Sequence, residues 1–120
     1  MKDISSEKFP GISRILRTLP TENAFRFYRT IGVPLGIEAN GMADFPDKLK
    51  QVETTSIEFH LYRKDFEKWA TFLGDATLTN DIAALRERNL KGDDLKFQLL
   101  SVVRRRLEKL RKLSSFGYSS

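Results

Sequence analysis

The sequence contains no cysteine and a single histidine, His60. The absence of cysteine excludes disulfides, Cys-ligated zinc, iron–sulfur clusters and thiol nucleophiles. A lone imidazole cannot supply the two-histidine spacing of zinc enzymes, and the acidic residues are too scattered to form a calcium loop. No run of about 18 apolar residues occurs, and residues 1–7 lack the apolar segment of a secretory signal. We therefore expect a cytoplasmic, non-membrane protein without a metal or cofactor.

The chain has 120 residues, of which 40% are hydrophobic and 31% are charged. This length suits one domain with one core, and the composition argues against disorder of the whole chain. We predict a flexible N-terminus at residues 1–8, a single helical domain at 9–113 and a flexible C-terminal tail at 114–120.

Basic charge is concentrated at the C-terminal end of the chain. The formal net charge is +5, yet residues 1–100 hold equal numbers of basic and acidic side chains. Residues 101–120 therefore carry the whole excess. This asymmetry is typical either of cations that complement a helix dipole or of a surface that binds an anionic partner. Both interpretations stay open.

The N-terminal third combines a short helix with a hairpin. Apolar residues recur at helical spacing over residues 12–19. Residues 24–31 alternate in the manner of a strand, with Phe25, Phe27 and Ile31 on one face. Glycine and proline between residues 32 and 36 predict a loop, and residues 37–39 return as a second short strand.

Helix signals follow one another after the hairpin. Pro46 is compatible with a helix only if that helix begins near Asp44, which puts the proline in the first turn. Thr55 and Glu58 have the spacing of a capping box, in which each side chain satisfies an exposed amide of the other residue.

The next two helices have their own start and stop signals. Asp65 is expected to cap one helix, and Gly74 is placed to end it in the left-handed conformation. Asp75 is expected to cap the following helix, and residues 89–92 form a connector.

The clearest helix runs from about Leu95 to Leu113. At about 100° per residue its apolar side chains fall within one arc of about 160°. They are Leu95, Leu99, Leu100, Val102, Val103, Leu107, Leu110 and Leu113. The heptad-like members of this set leave a homodimer open, although a face buried inside the monomer has the same spacing. Arg106 falls inside the apolar arc, so we expect it to reach solvent at the helix end or to pair with Glu58 or Asp65. The sequence as a whole predicts a mainly α bundle of five or six helices with a short β-hairpin near residues 24–39.

The densest polar cluster surrounds His60. In a continuous helix His60 and Arg63 share a face, and Glu67 follows Arg63 by four residues. Such a set can hold an anion or carry a proton, but exposed helices commonly display similar ion pairs, and no second catalytic group is evident. We therefore expect no catalysis. We expect His60, Arg63, Asp65 and Trp69 to bind a protein partner or a small anionic ligand.

The alternative function is nucleic-acid binding by the basic face of the last helix. Its cations are Arg104, Arg105, Lys109, Arg111 and Lys112. Such a face contacts phosphates, and its affinity falls as salt rises.

Several short segments together resemble an uncharacterised domain family of archaeal and bacterial proteins. The resemblance spans Ala24 to Lys112. Its segments are Gly36-Ile37-x-Ala39, Ser56-Ile57-Glu58-Phe59-His60, Asp65-Phe66-x-x-Trp69, Leu73-Gly74-Asp75 and Asp94-Leu95. The family has no agreed activity, so the resemblance implies a helical accessory or regulatory domain and supplies no catalytic residues.

Overall fold

Helices make up most of the chain in the computed structural model, which describes residues 11–118 and their side chains as far as Ser115. The described part contains six α-helices and one hairpin, which confirms the predicted mainly α class. The elements are α1 (Ile12–Ile15), β1 (Phe25–Thr30), β2 (Val33–Ala39), α2 (Phe45–Gln51), α3 (Thr54–Tyr62), α4 (Asp65–Leu73), α5 (Ala76–Arg86) and α6 (Gly92–Tyr118). The predicted flexible segment 1–8 lies outside the described residues.

The hairpin pairs β1 and β2 in antiparallel register. Phe25 and Phe27 are buried, as the alternation of β1 predicts. Ile31 was expected on the same face, and this expectation is wrong. It lies in the turn between the strands with 76% of its surface exposed, because the alternation ends where the strand ends.

The loop predicted at residues 32–36 is also wrong, since β2 already begins at Val33. Pro34 is tolerated because a strand in a two-stranded hairpin has an open edge that needs no N–H from that residue. Gly36 has a φ of 73° and lies where the pairing with β1 is irregular. Glycine accepts such a left-handed φ without strain, so it bends the strand rather than ending it.

The proline-containing helix begins where the sequence requires. Asp44 is the residue before the first helical position of α2, and Pro46 lies in the first turn. The carboxylate of Asp44 accepts hydrogen bonds from the backbone N–H groups of Asn40 and Gly41 at 3.0–3.1 Å. Asp44 therefore holds together the turn that connects the hairpin to α2.

Two predicted caps are wrong. Helix α3 begins at Thr54, one residue before the capping box, and Glu58 instead accepts a 2.7 Å hydrogen bond from the backbone N–H of Gly92 at the start of α6. Asp65 makes no capping hydrogen bond to α4. Its carboxylate turns back toward α3, because Lys64 between the two helices takes a left-handed φ of 68°.

The signals around residues 74 and 75 are confirmed. Gly74 ends α4 with a φ of 96°, and the Asp75 carboxylate accepts the backbone N–H of Leu78 at 3.0 Å in the first turn of α5. Only 1% of Asp75 is exposed. A buried carboxylate needs a charged partner, and α6 supplies it.

Arg106 is that partner. Its Nε donates to Asp75 Oδ2 at 2.8 Å. Of the two alternatives expected for Arg106, solvent exposure at the helix end or pairing with a carboxylate, the structure shows pairing, but Glu58 and Asp65 are the wrong partners. The pair links the N-terminus of α5 to the middle of α6.

Helix α6 supplies one side of the hydrophobic core and contacts α1, α2, α3 and α5. It continues to Tyr118, beyond the predicted end at Leu113. Its buried side chains are Leu95, Leu99, Val103, Leu107 and Leu110. Of the heptad-like residues, Val103, Leu107 and Leu110 are buried within the monomer and Leu100 is partly buried. No helix in the described residues is long and apolar enough to span a membrane.

Candidate functional site

Two side chains of α3 cover the outer edge of β1 at Tyr28. Ser56 Oγ donates to the Tyr28 carbonyl at 2.7 Å, and the Tyr28 N–H donates to His60 Nε2 at 2.8 Å. Ser56 and His60 are four residues apart and therefore lie on one face of the helix. Unpaired strand edges invite association with other chains, so this arrangement satisfies the polar backbone of β1 at that point.

The second ring nitrogen of His60 is also occupied. Nδ1 lies 2.9 Å from Asp65 Oδ2. Because Nε2 accepts the Tyr28 N–H, the proton of the neutral ring is on Nδ1 and is donated to Asp65. Only 3% of His60 is exposed, and this burial lowers its pKa from 6.5 in spite of the opposing effect of Asp65. His60 thus joins three elements and has no nitrogen free for a ligand.

Arg63 is held in place beside this pair. Its Nε lies 3.2 Å from Asp65 Oδ2, and its guanidinium lies over the ring of Phe59, 4.8 Å from the centroid. The side chain is still 50% exposed. An arginine fixed by a carboxylate and an aromatic face retains outward donors for an anion.

Glu67 does not join this cluster. The sequence places it one turn after Arg63, but the break at Lys64 turns α4 away from the axis of α3. Glu67 accepts a 2.6 Å hydrogen bond from Nε of Arg86 on α5.

Trp69 is mainly a core residue. It is 8% exposed, its Nε1 donates to the carbonyl of Asn23 at 3.2 Å, and its ring contacts Phe25 and Phe45. One edge reaches the surface next to the other predicted residues. A substitution at Trp69 therefore tests stability together with binding.

A cleft of about 640 Å³ opens between β1, α3 and α4. All four residues predicted to bind a partner line it, although they come from two helices. Further walls are provided by Arg26, Tyr28, Ile31, Phe59, Lys68 and Phe72. Phe72 is 43% exposed and Ile31 76%, so the cleft has an apolar rim that extends outward.

Positive charge predominates on the cleft walls. Three cations face the single carboxylate of Asp65, which is already shared by His60 and Arg63. Arg26 is held by Glu38 at 3.0 Å. Lys68 is exposed and pairs with none of the other described residues. Lys68 and the outer edge of Arg63 are therefore available to an anionic group. Among residues 11–118, no group of three histidine, aspartate or glutamate residues is arranged to hold a metal ion.

The five cations of the last helix divide between two flanks of α6. Arg105 and Lys109 line a groove of about 460 Å³ shared with α5. Arg104, Arg111 and Lys112 line a second groove, of about 730 Å³, that includes Asp47 near the start of α2. The five cations therefore lie along one arc of the helix but line two different grooves.

A family of unknown function, DUF5752, covers residues 20–116 of the chain. The chain belongs to the DUF5752 family. No curated protein and no solved structure matches it.

The DUF5752 match includes the cleft and the basic helix but not α1. The function of this family is unknown, so the match assigns no role to any residue. The exposed cleft residues Ile31, Lys68 and Phe72 were not singled out from the sequence. These residues are recognised as part of a candidate site because apolar side chains are exposed beside a cation, and this exposure is visible only in the folded chain.

Proposed function

We propose that this DUF5752 protein is a cytoplasmic accessory or regulatory module without catalysis of its own, and that its cleft binds an acidic segment of a partner protein. The observation that supports this proposal most is the combination of Arg63 and Lys68 with exposed apolar side chains around one cleft. Interfaces use apolar anchors for affinity and charge complementarity for orientation.

A protein segment suits this cleft better than a small anion. Ile31 and Phe72 add exposed apolar surface to the lining of the cleft, and a small anion held by the cations would leave this surface uncovered. A segment with a carboxylate next to aliphatic or aromatic residues matches both features. His60 supports such a site by fixing β1 against α3, without contacting the ligand through its nitrogens.

To test this function, the affinity of the full chain is measured for fluorescent peptides that place Asp or Glu beside Leu or Phe. Peptides with Asn or Gln in place of the acids serve as controls. Lys68→Glu should weaken binding of the acidic peptides by about tenfold or more, since it replaces an attraction by a repulsion. Lys50→Glu, an exposed charge reversal on α2 outside the cleft, should leave binding unchanged.

Two results would contradict this function. One is equal affinity for the acidic and amide peptides. The other is equal loss in Lys68→Glu and Lys50→Glu, which would reveal a dependence on net charge alone. Saturable binding of citrate with no peptide retained would assign the cleft to a small anionic ligand.

Nucleic-acid binding through α6 is the second candidate. Arg104, Arg105, Lys109 and Arg111 form no ion pair with other described residues, and Lys112 reaches Glu108 only at 3.9 Å. Uncompensated cations on a helix favour contacts with phosphates. Binding to single-stranded and duplex oligonucleotides with a steep salt dependence supports this candidate, and no binding at low salt removes it.

A further inference from the structure

Folding places a cation from outside α6 in the same groove as two cations of α6. Arg88 follows the end of α5 and lines the same groove as Arg105 and Lys109. All three side chains are exposed. Arg105 and Lys109 lie one helical turn apart, about 6 Å along the axis, so the groove presents a row of cations with Arg88 on its opposite wall.

The remaining charges of this groove leave the row largely uncompensated. Arg106 also lines the groove, but its charge is matched by the buried carboxylate of Asp75. Asp81 is the one carboxylate among the lining residues. On the other flank of α6, Arg104, Arg111 and Lys112 share their groove with two carboxylates. The α5–α6 groove is therefore the more positive flank.

The apolar content of α6 argues for a polyanion rather than a membrane or a hydrophobic partner. Its leucines are turned into the core, and within the described part Phe97 is the only large hydrophobic side chain that α6 exposes. A membrane-bound helix needs an apolar face to insert, and a protein interface needs apolar anchors at its centre. A phosphate backbone needs only cations and hydrogen-bond donors.

Gln98 supplies such a donor. It lines the α5–α6 groove about two helical turns before Arg105. Its amide can donate to a phosphate or sugar oxygen and accept from a base edge.

We propose that the groove between α5 and α6 binds the sugar–phosphate backbone of a nucleic acid, with Arg88, Arg105 and Lys109 on phosphates and Gln98 beside them. This proposal rests on the second candidate function above. It adds the location of the binding site and a residue, Arg88, outside the basic helix.

Two triple variants with equal loss of charge test the location. The first variant removes the unpaired cations of the α5–α6 groove by combining Arg88→Gln, Arg105→Gln and Lys109→Gln. The second variant removes the same amount of charge from the other groove of α6 by combining Arg104→Gln, Arg111→Gln and Lys112→Gln. Affinity for mixed-sequence RNA and DNA oligonucleotides is measured by fluorescence anisotropy from about 50 to about 200 mM salt.

The triple variant of the α5–α6 groove should bind the oligonucleotides about tenfold or more weakly than the wild type at low salt. Its slope of log affinity against log salt should become shallower by about 2 to 3, since about 0.7 to 0.9 counterions are released for each phosphate contact. The affinity of the second triple variant should stay within about threefold of the wild-type affinity. Equal losses of affinity in the two triple variants would contradict the groove as the binding site but not nucleic-acid binding itself. If the wild-type protein does not bind the oligonucleotides, both proposals are wrong.

A measurement on the unaltered protein covers the case in which a triple variant does not fold. Bound oligonucleotide should protect Lys109 from an amine-acetylating reagent more strongly than Lys112. Equal protection of the two lysines contradicts the groove. Equal affinity for polyglutamate or for vesicles rich in phosphatidylserine would also overturn the proposal, since neither presents a sugar–phosphate backbone.

Discussion

Replacing His60 by leucine tests the contact that fixes the hairpin to α3. The leucine keeps the buried site filled but leaves the Tyr28 N–H and the Asp65 carboxylate without their partner. A buried amide without a partner costs about 1–3 kcal/mol, and loss of a second hydrogen bond about 1 kcal/mol. We expect His60→Leu to lower the free energy of unfolding by about 2–4 kcal/mol. Urea unfolding followed by the fluorescence of Trp69, the single tryptophan, measures this change.

The pH dependence separates this role from simple packing. Burial lowers the pKa of His60 below its usual 6.5, although Asp65 opposes the shift. The unfolded chain therefore binds a proton at a higher pH than the folded chain does. The stability supplied by neutral His60 is fully present above about pH 7 and declines as the pH falls from about 6.5 toward the folded pKa, by at most about 1.4 kcal/mol per pH unit. Neighbouring Arg63 disfavours the charged ring further.

Control variants make the result specific. His60→Gln removes the titration but keeps an oxygen that can accept from Tyr28, so its loss of stability should be smaller than that of His60→Leu. Both variants should lack the wild-type slope between about pH 5.5 and 7. A loss of stability under about 0.5 kcal/mol in His60→Leu, or retention of the wild-type slope by this variant, would contradict the proposed role of His60.

Three further predictions concern single residues, each measured by thermal and urea unfolding. Arg106→Glu should lower the free energy of unfolding by about 3–5 kcal/mol, since it leaves the Asp75 carboxylate buried beside a like charge. An unchanged unfolding midpoint would contradict the buried ion pair. Gly41→Ala should cost about 1–3 kcal/mol, because a Cβ there would lie 2.8 Å from the backbone oxygen of Arg17; a neutral result would show that the two segments separate easily. Lys64→Gly should stabilise by up to about 1 kcal/mol by relieving the left-handed φ of 68°, and a loss of stability would show that glycine's extra freedom in the unfolded chain dominates.

The sequence predicted elements whose signals are local. The two faces of α6 follow from side-chain spacing alone, and its leucines are buried or partly buried as expected. Gly74 and Asp75 were correctly predicted because a helix terminus depends on a few neighbouring residues. The four residues of the cleft were also proposed from one stretch of sequence. The start of a new helix at Asp65 was predicted correctly, whereas the expected proximity of Glu67 to Arg63 was wrong.

The errors share one cause. Glu58 and Asp65 fit local capping patterns, yet their carboxylates bind Gly92 and His60 after the chain folds. Pro34 fits a loop, yet a hairpin edge accepts it as part of a strand.

Sequence by itself therefore determined the helical class and the two-faced last helix, since these depend on residues within a turn or two of each other. Tertiary structure alone decided the contacts that link distant segments. It paired Arg106 with Asp75, brought His60 to Tyr28 and placed Arg88 across a groove from Lys109. Those partners are separated by many residues, and a carboxylate or imidazole binds whichever group the packing of the core brings within about 3 Å.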